Sequence, residues 1–512
     1  MNTRQSLRIV LLLLLLLAPV QTQAAERHRR LWLVVTRPMF VDALQPLVEA
    51  RKAGNLITKV TTTGVEKAIS ESKLTPRYLL IVGDDDPNEP DAEWRVPSKQ
   101  LELYRWEARQ RRRFASDAYY ADRDGDLVPD IAIGRIPART VEEVETCVRK
   151  ILEYEKRRPT IHDLDLPVWS GSPMYGETVD TMANSLLLST LQARRADWMS
   201  PWVLMADTRQ PFCGWPADQP ENFMRRMREG GLLHIFIGHG QPTSIYAMHF
   251  NNDWIRLTTK SNFDTFSQGP ATSPMVLLTC SAGRFDGPEI SLAEKLLFLP
   301  GGPVATIAAS TQSHPLPNYF TGRELLSALK RHRYRLGDAW LSAQRRATKA
   351  RNPLIESVLM EVEGKLDAEI DVAKLRRDQA LMYSILGDPA TKLRLPGDLD
   401  VILRREGDGW RWRVTPPGGA SRLDISIRPT TVQLPASATP PTDRNIANTA
   451  LDTANRCFAF EPLVTLNADE PWEGVIRKTG DIRFVASGGE YPHVHVETLE
   501  APTGETDQSA DR

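Results

Sequence analysis

Two apolar segments of this chain each run into a residue that can do chemistry. Leu232-Leu233-His234-Ile235-Phe236-Ile237 leads to Gly238-His239-Gly240, and Met275-Val276-Leu277-Leu278-Thr279 leads to Cys280-Ser281-Ala282-Gly283. Both runs have the length and the flanking glycines of buried strands. A buried parallel strand delivers its last residues to the carboxyl edge of its sheet, where open α/β folds place their sites. A thiol and an imidazole brought there form a nucleophile and its proton partner. The thiolate is the reactive species, and a nearby imidazole takes its proton or protonates a leaving amine. The two glycines around His239 let a substrate approach the backbone. The amides of Gly240 and Cys280 are then placed to hold a carbonyl oxygen as it becomes negative, a role worth roughly 3–4 kcal/mol per donor in acyl transfer. Gly283 suits a tight turn after the thiol, and Glu289 to Glu294 opens a helix whose N-terminus would favour thiolate.

Other candidates are weaker. Asp122-Arg123-Asp124-Gly125-Asp126 alternates carboxylates around a glycine. Asp122, Asp124 and Asp126 thus form either a calcium loop without the distal glutamate of an EF-hand, or a solvated acidic turn. Asp84-Asp85-Asp86 is a second acidic turn. His493 and His495 share a strand face, but no third metal ligand lies near them in sequence.

The elements that must position His239 and Cys280 alternate from Leu31 to about Leu395. Strand signals fall at Leu31–Thr36, Leu56–Thr62, Tyr78–Val82, Ile131–Ile133, Pro167–Ser170, Trp202–Met205, Leu232–Ile237, Met275–Thr279 and Val304–Ala308. Helical spacing falls at Phe40–Ala53, Val65–Ser70, Val141–Arg157, Thr181–Arg194, Glu221–Arg228 and Leu292–Leu297. Such alternation predicts right-handed crossovers and a mainly parallel sheet with helices on both faces, as one large sheet or two fused halves. Beyond Leu386-Gly387-Asp388-Pro389 the pattern becomes all-β. Val401–Arg404 and Trp410–Val414 flank a turn at Glu406-Gly407-Asp408-Gly409, and further strands are expected at Leu423–Ile427, Val475, Ile482–Val485 and Val494–Val496. Thr430 to Thr449 reads as a loop or linker. The expected division is a signal peptide over 1–25, an α/β domain over 26–396, a small β-sandwich over 397–500 and a disordered tail over 501–512.

Composition sets the remaining bounds. The chain has 512 residues, 41% of them hydrophobic and 25% charged, which is ordinary for a globular protein. A formal net charge of -1 gives no overall attraction to nucleic acid. Basic clusters at Arg105 to Arg113 and Lys330 to Arg335 read as solvated faces. Arg4, Arg8, an apolar stretch from Ile9 to Val20 and the small residues near Ala24-Ala25 form a secretory signal, too short to span a bilayer. Export to the periplasm or outside the cell, without stable membrane insertion, is the expectation. Four cysteines are too few for a disulfide framework: Cys147 fits a helix core, while Cys213 and Cys457 either pair or stay reduced.

Several motifs, in this order, resemble the gingipain-type family of cysteine peptidases, of the caspase-like fold group. They are Leu33-Val34-Val35-Thr36, Tyr78-Leu79-Leu80-Ile81-Val82-Gly83-Asp84, Ser116-Asp117-Ala118-Tyr119-Tyr120 and Asp130-Ile131-Ala132-Ile133-Gly134-Arg135-Ile136-Pro137. They continue with Lys150-Ile151-Leu152-Glu153-Tyr154-Glu155, Gly238-His239-Gly240, Cys280-Ser281-Ala282-Gly283-Arg284-Phe285 and Leu386-Gly387-Asp388-Pro389. The resemblance covers nearly all of 31–395. It implies a caspase-like α/β fold followed by an Ig-like sandwich, a His239–Cys280 dyad, an oxyanion hole at Gly240 and Cys280, and protein or peptide substrates. No cofactor is required by such chemistry, and the resemblance adds structural calcium as an option.

The sequence also departs from the pattern. The α/β pattern begins just after the signal segment, so control by a long prodomain is not expected. The stretch from Ser170 to Glu177 that would carry the acid of a basic-residue pocket is short. Glu177 or Asp180 serves there, or each is an ordinary helix N-terminal carboxylate. His314 stands where the resemblance expects a pocket tryptophan. An endopeptidase acting through an acyl-enzyme is the leading expectation. The alternatives are a peptidase-like binding scaffold and a dedicated maturation peptidase or transpeptidase.

Overall fold

The computed structural model describes residues 30–104, 112–172, 174–258, 270, 272–331, 335–357, 371–429 and 443–500. The expected signal segment and tail, and parts of the two basic clusters, lie outside the described residues.

Ten strands form one central sheet: β1 (Arg30–Val35), β2 (Leu56–Thr61), β3 (Pro76–Val82), β4 (Ala132–Ile136), β5 (Asp165–Ser170), β6 (Ser200–Met205), β7 (His234–Ile237), β8 (Met275–Leu278), β9 (Thr306–Ala309) and β10 (Tyr383–Leu386). Their order is β2-β1-β3-β4-β10-β9-β8-β7-β5-β6. Every neighbouring pair is parallel except β9–β10. The chain therefore resolves the two options of one sheet or two halves by combining them. Two parallel half-sheets of opposite direction meet edge to edge at β9 and β10.

The inner strands are mostly apolar because both faces are covered, whereas the edge strand β2 carries Thr58, Lys59 and Thr61 and is largely half-buried. In β1, Trp32 and Val34 pack into one core cluster while Leu31, Leu33 and Val35 pack into another. A sheet buried on both sides loses the polar alternation that marks a half-exposed one. Helices supply the cover. The best formed by local signals is Val141–Lys156, where Thr140 and Glu143 make a reciprocal capping box and Val144, Cys147, Val148 and Ile151 face inward.

Asp388 ties the sheet to its helices. Its carboxylate accepts from Trp32 Nε1 at 2.9 Å, Arg51 Nε at 2.8 Å and the Ala390 amide at 2.9 Å, with all three side chains buried.

The C-terminal part holds two mainly antiparallel layers, with one parallel pair where Gly397–Asp398 meets His493–Leu499. One has five strands, including Arg422–Arg428, Gly480–Ser487 and His493–Leu499; the other has three, led by the expected hairpin of Val401–Glu406 and Gly409–Val414. Their apolar faces share one core around Trp412, Ile425, Phe484 and Leu499. The stretch expected as a linker contains a helix, Arg444–Asn455, capped by the Asp443 carboxylate. It is amphipathic, with Ala447, Leu451 and Ala454 buried. The preceding Pro, Ala, Ser and Thr residues obscured that periodicity. Asn455 closes the contact by accepting from the Val203 amide at 2.7 Å and donating to its carbonyl at 3.0 Å, on the edge strand β6.

Candidate active site

β7 and β8 are hydrogen-bonded neighbours, with Ile237 opposite Leu278 at their carboxyl ends. His239 and Cys280 each follow two residues later, so the sheet register places them at equivalent points on one rim. Both are half-buried. Cys280 carries no disulfide, and neither do Cys147, Cys213 and Cys457.

Each residue is presented by a distinct backbone device. After β7 the chain turns through Gly238, whose φ of 154° is one that L side chains rarely adopt and where an added Cβ would lie 3.0 Å from Gly171 Cα. His239 then enters a small antiparallel sheet. The Tyr246 amide donates to the His239 carbonyl at 3.0 Å, which makes Gly240 and Ile245 the non-hydrogen-bonded pair of that ladder. The Gly240 amide accordingly points away from its partner strand. A Cβ on Gly240 would lie 2.5 Å from Thr279 Oγ1 and 3.2 Å from the Cys280 carbonyl, so only glycine allows the two loops to meet.

After β8 the left-handed position is Ser281, with φ 55°, while Gly283, expected to suit a tight turn, has no positive φ. An L-residue there stores roughly 1–3 kcal/mol of strain, a feature common at reactive turns. The turn is held by the Ser281 amide donating to the Thr311 carbonyl at 2.8 Å. Gly283 serves close packing instead, because an added Cβ would lie 2.7 Å from Ala308 Cβ.

The helix expected at Glu289–Glu294 is Leu292–Phe298, capped by Ser291. Its Ala293 amide is given to the Ala282 carbonyl at 2.9 Å. A longer helix, Pro315–Lys330, starts two residues after a contact of the sulfur. Cys280 Sγ lies 3.5 Å from the Ser313 carbonyl oxygen and 3.9 Å from Ser313 Oγ, just before that helix. Its first-turn amides are not free to face the sulfur, because Pro315 and Pro317 carry no N–H and the Leu316 amide is given to His314 Nδ1. Ser313 escaped the sequence reading, which named only its neighbour His314. Its only local signal was its position next to a proline-started helix.

The remaining sequence-derived candidates are placed as follows. His314 is 3% exposed and caps the helix Pro315–Lys330, its Nδ1 accepting from the Leu316 amide at 3.1 Å. Asp180 is buried in the first turn of the helix Glu177–Arg194 and accepts from the Tyr175 amide at 3.0 Å, which fixes the loop leaving β5. That loop borders the histidine strand, since the Gly171 amide donates to the Ile237 carbonyl at 2.8 Å. The Glu177 side chain is 82% exposed and pairs with Arg209 at 3.3 Å. Pro173 of this loop lies outside the described residues.

In the acidic turn, the carboxylates close enough to share a cation are Asp122, Asp124 and Asp130, within 4.8 Å of one another. Asp126 is not among them; its carboxylate accepts the Val128 amide at 2.9 Å. Asp130 stands eight residues after Asp122, beyond the Asp122–Asp126 run read from the sequence, and its amide donates back to the Ala121 carbonyl at 2.7 Å. Asp122 accepts the amides of Gly125 and Leu127, so the loop closes on its own hydrogen bonds. His493 contacts the neighbouring strand, its Nδ1 lying 3.0 Å from the Asp398 carbonyl oxygen.

Residues 27–394 match the model of peptidase family C25. The chain belongs to this family. It is similar to an uncharacterized protein of Archaeoglobus fulgidus, 25% identical over 267 residues, which are 47% of this chain and 56% of that protein. The match thus spans little more than half the length of that curated relative. The fold is that of a solved structure described only as a protease, with TM-score 0.53, 15% identity and coverage of 92% of this chain and 97% of the other. It is also that of the complex of pro- and mature domains of Porphyromonas gingivalis RgpB, with TM-score 0.50, 15% identity and coverage of 92% and 100%. The family and fold make this C25 member a cysteine-peptidase-like protein. Among the described residues no helix is long and apolar enough to cross a membrane.

Proposed function

We propose that this protein is an exported cysteine endopeptidase in which Cys280 and His239 act as a dyad. The observation that carries the reading is the shared rim position of the two residues, two steps past register partners in adjacent parallel strands. The Cys280 sulfur attacks the carbonyl carbon of a peptide bond. The oxygen becomes negative and is held by the amides of Gly240 and Cys280. His239 gives its proton to the departing nitrogen as the carbon–nitrogen bond breaks, leaving a thioester. Water then attacks, its proton passes to His239, and the acid product leaves with the thiol restored. Protein or peptide substrates follow from the family. Export rests on the sequence of the first 25 residues. A structural calcium at Asp122, Asp124 and Asp130 is consistent with hard oxygen donors; it would brace the loop and takes no part in the reaction.

The test is digestion of an unfolded protein substrate under reducing conditions by the full chain. Wild type should cut it, while Cys280→Ala should be silent and His239→Ala slower by at least about a thousandfold. Cutting by the Cys280→Ala protein would refute the dyad. A wild type that cuts nothing would favour the scaffold reading, and amine-transfer products would favour a transpeptidase.

A further inference from the structure

A buried polar chain runs from the sulfur into the core. Ser313 Oγ lies 3.9 Å from Cys280 Sγ. It accepts from Asn318 Nδ2 at 2.9 Å, and both residues are buried. The Asn318 carbonyl oxygen accepts from Gln379 Nε2 at 2.6 Å and from the Tyr383 hydroxyl at 2.8 Å. These residues come from four elements: the turn after β9 (Ser313), the helix Pro315–Lys330 (Asn318), the helix Val372–Met382 (Gln379) and the first residue of β10 (Tyr383).

The direction of the chain has a consequence. Two donors, from Gln379 and Tyr383, fix the Asn318 oxygen, so its NH2 faces Ser313. Burial pushes the Tyr383 hydroxyl far above its ordinary range, so it stays protonated and can donate. Ser313 Oγ already receives a hydrogen from Asn318, and its own hydrogen must go to another acceptor. Two are in reach, the Tyr383 oxygen and the Cys280 sulfur. Once the sulfur is ionised it is the stronger acceptor, because a charged partner roughly doubles a hydrogen bond. Other titratable side chains on the surrounding elements include His239 beyond β7, Arg284 and Asp286 after the cysteine turn, His314 beside Ser313, Arg323 and Glu324 on the helix Pro315–Lys330, and Lys374, Arg376, Arg377 and Asp378 on the helix Val372–Met382.

We propose that Ser313 donates its hydroxyl hydrogen to the Cys280 thiolate and that Asn318 is the positioning residue that aims it. The proposal rests on Cys280 being the reactive thiol of the dyad. It adds a polar partner on the side of β9 and β10, across from the histidine strand β7. It assigns Ser313, with Asn318, Gln379 and Tyr383 behind it, the task of holding the sulfur at one point and in one ionisation state before a substrate arrives.

The experiment is the rate of iodoacetamide alkylation of Cys280 between pH 5 and 10, read by peptide mass spectrometry on the folded full chain. This readout needs no peptidase activity. Ser313→Ala should move the pH midpoint up by about one unit and slow the reaction about tenfold on the acid side. Ser313→Thr, which keeps the hydroxyl, should stay within about threefold of wild type. Asn318→Ala should shift the midpoint the same way by less, because the hydroxyl survives but turns freely. Thermal melting separates these effects from unfolding, and if Ser313→Ala does not fold the Asn318→Ala profile decides. Unchanged midpoints in folded Ser313→Ala and Asn318→Ala proteins would overturn the proposal. A shifted midpoint in a protein that cuts no substrate would leave it standing and remove only the endopeptidase reading.

Discussion

Ile237 and Leu278 face each other at the carboxyl ends of adjacent parallel strands, and each is followed two residues later by the histidine or the cysteine of the candidate dyad. Parallel strands in register rise together, so equal offsets from paired residues arrive at the same rim. The geometry of the site is thus inherited from the sheet, and the loops supply the final turn. Gly238 and Gly240 shape the histidine side, and Ser281 the cysteine side.

Thiol reactivity should separate the cysteines. Burial pushes the Cys147 and Cys213 thiols up to about 12, and the half-buried Cys457 up to about 11. In the folded protein near pH 7.5, iodoacetamide should label Cys280 first, with Cys147 and Cys213 labelled only after unfolding. Equal labelling of Cys147 and Cys280 in native protein would contradict this ordering.

Stability should fall as pH rises through neutrality. Glu294 is enclosed behind the cysteine turn. Burial, and then the neighbouring Asp84, push its carboxyl from 4.5 up to about 8. The folded state therefore holds a proton that the unfolded chain releases. That contribution is fully present below about pH 4.5 and is lost as pH rises to about 8. Urea unfolding at several pH values should show a shallower decline in Glu294→Gln, which stays neutral and keeps an acceptor for the Ser291 cap. An identical slope in both proteins would mean that the carboxyl is not the source.

Removing the Asp388 carboxylate should be among the costliest single changes. Asp388→Ala strands the buried Arg51 guanidinium and leaves Trp32 Nε1 and the Ala390 amide without their acceptor. Breaking a buried charge pair from one side costs about 3–5 kcal/mol. Denaturant unfolding measures it, and a loss below about 1 kcal/mol would show that Glu155, 2.9 Å from Arg51, suffices alone.

Local information was enough to locate most strands of the sheet. Apolar runs of β-branched and aliphatic residues identify buried strands because both faces must exclude water, and that demand is written within each run. β10 was the exception. Tyr383-Ser384-Ile385-Leu386 is only four residues, continues directly from a helix and carries two hydroxyls, so nothing local marked it. The helix Arg444–Asn455 was hidden for the opposite reason, by a polar and proline-rich approach that resembles a linker.

By itself, then, the sequence determined that His239 and Cys280 end apolar strands, that glycines crowd the histidine, and that the α/β pattern gives way to β near residue 397. Folding in three dimensions decided which strands are neighbours, that the sheet reverses at β9 and β10, that Asp130 and not Asp126 joins Asp122 and Asp124, and that Ser313, Asn318 and Tyr383 converge beneath the sulfur. The division has a physical cause. Periodicity records how one segment meets water, whereas pairing and polar networks join residues tens to hundreds of positions apart, and only the closed core selects those partners.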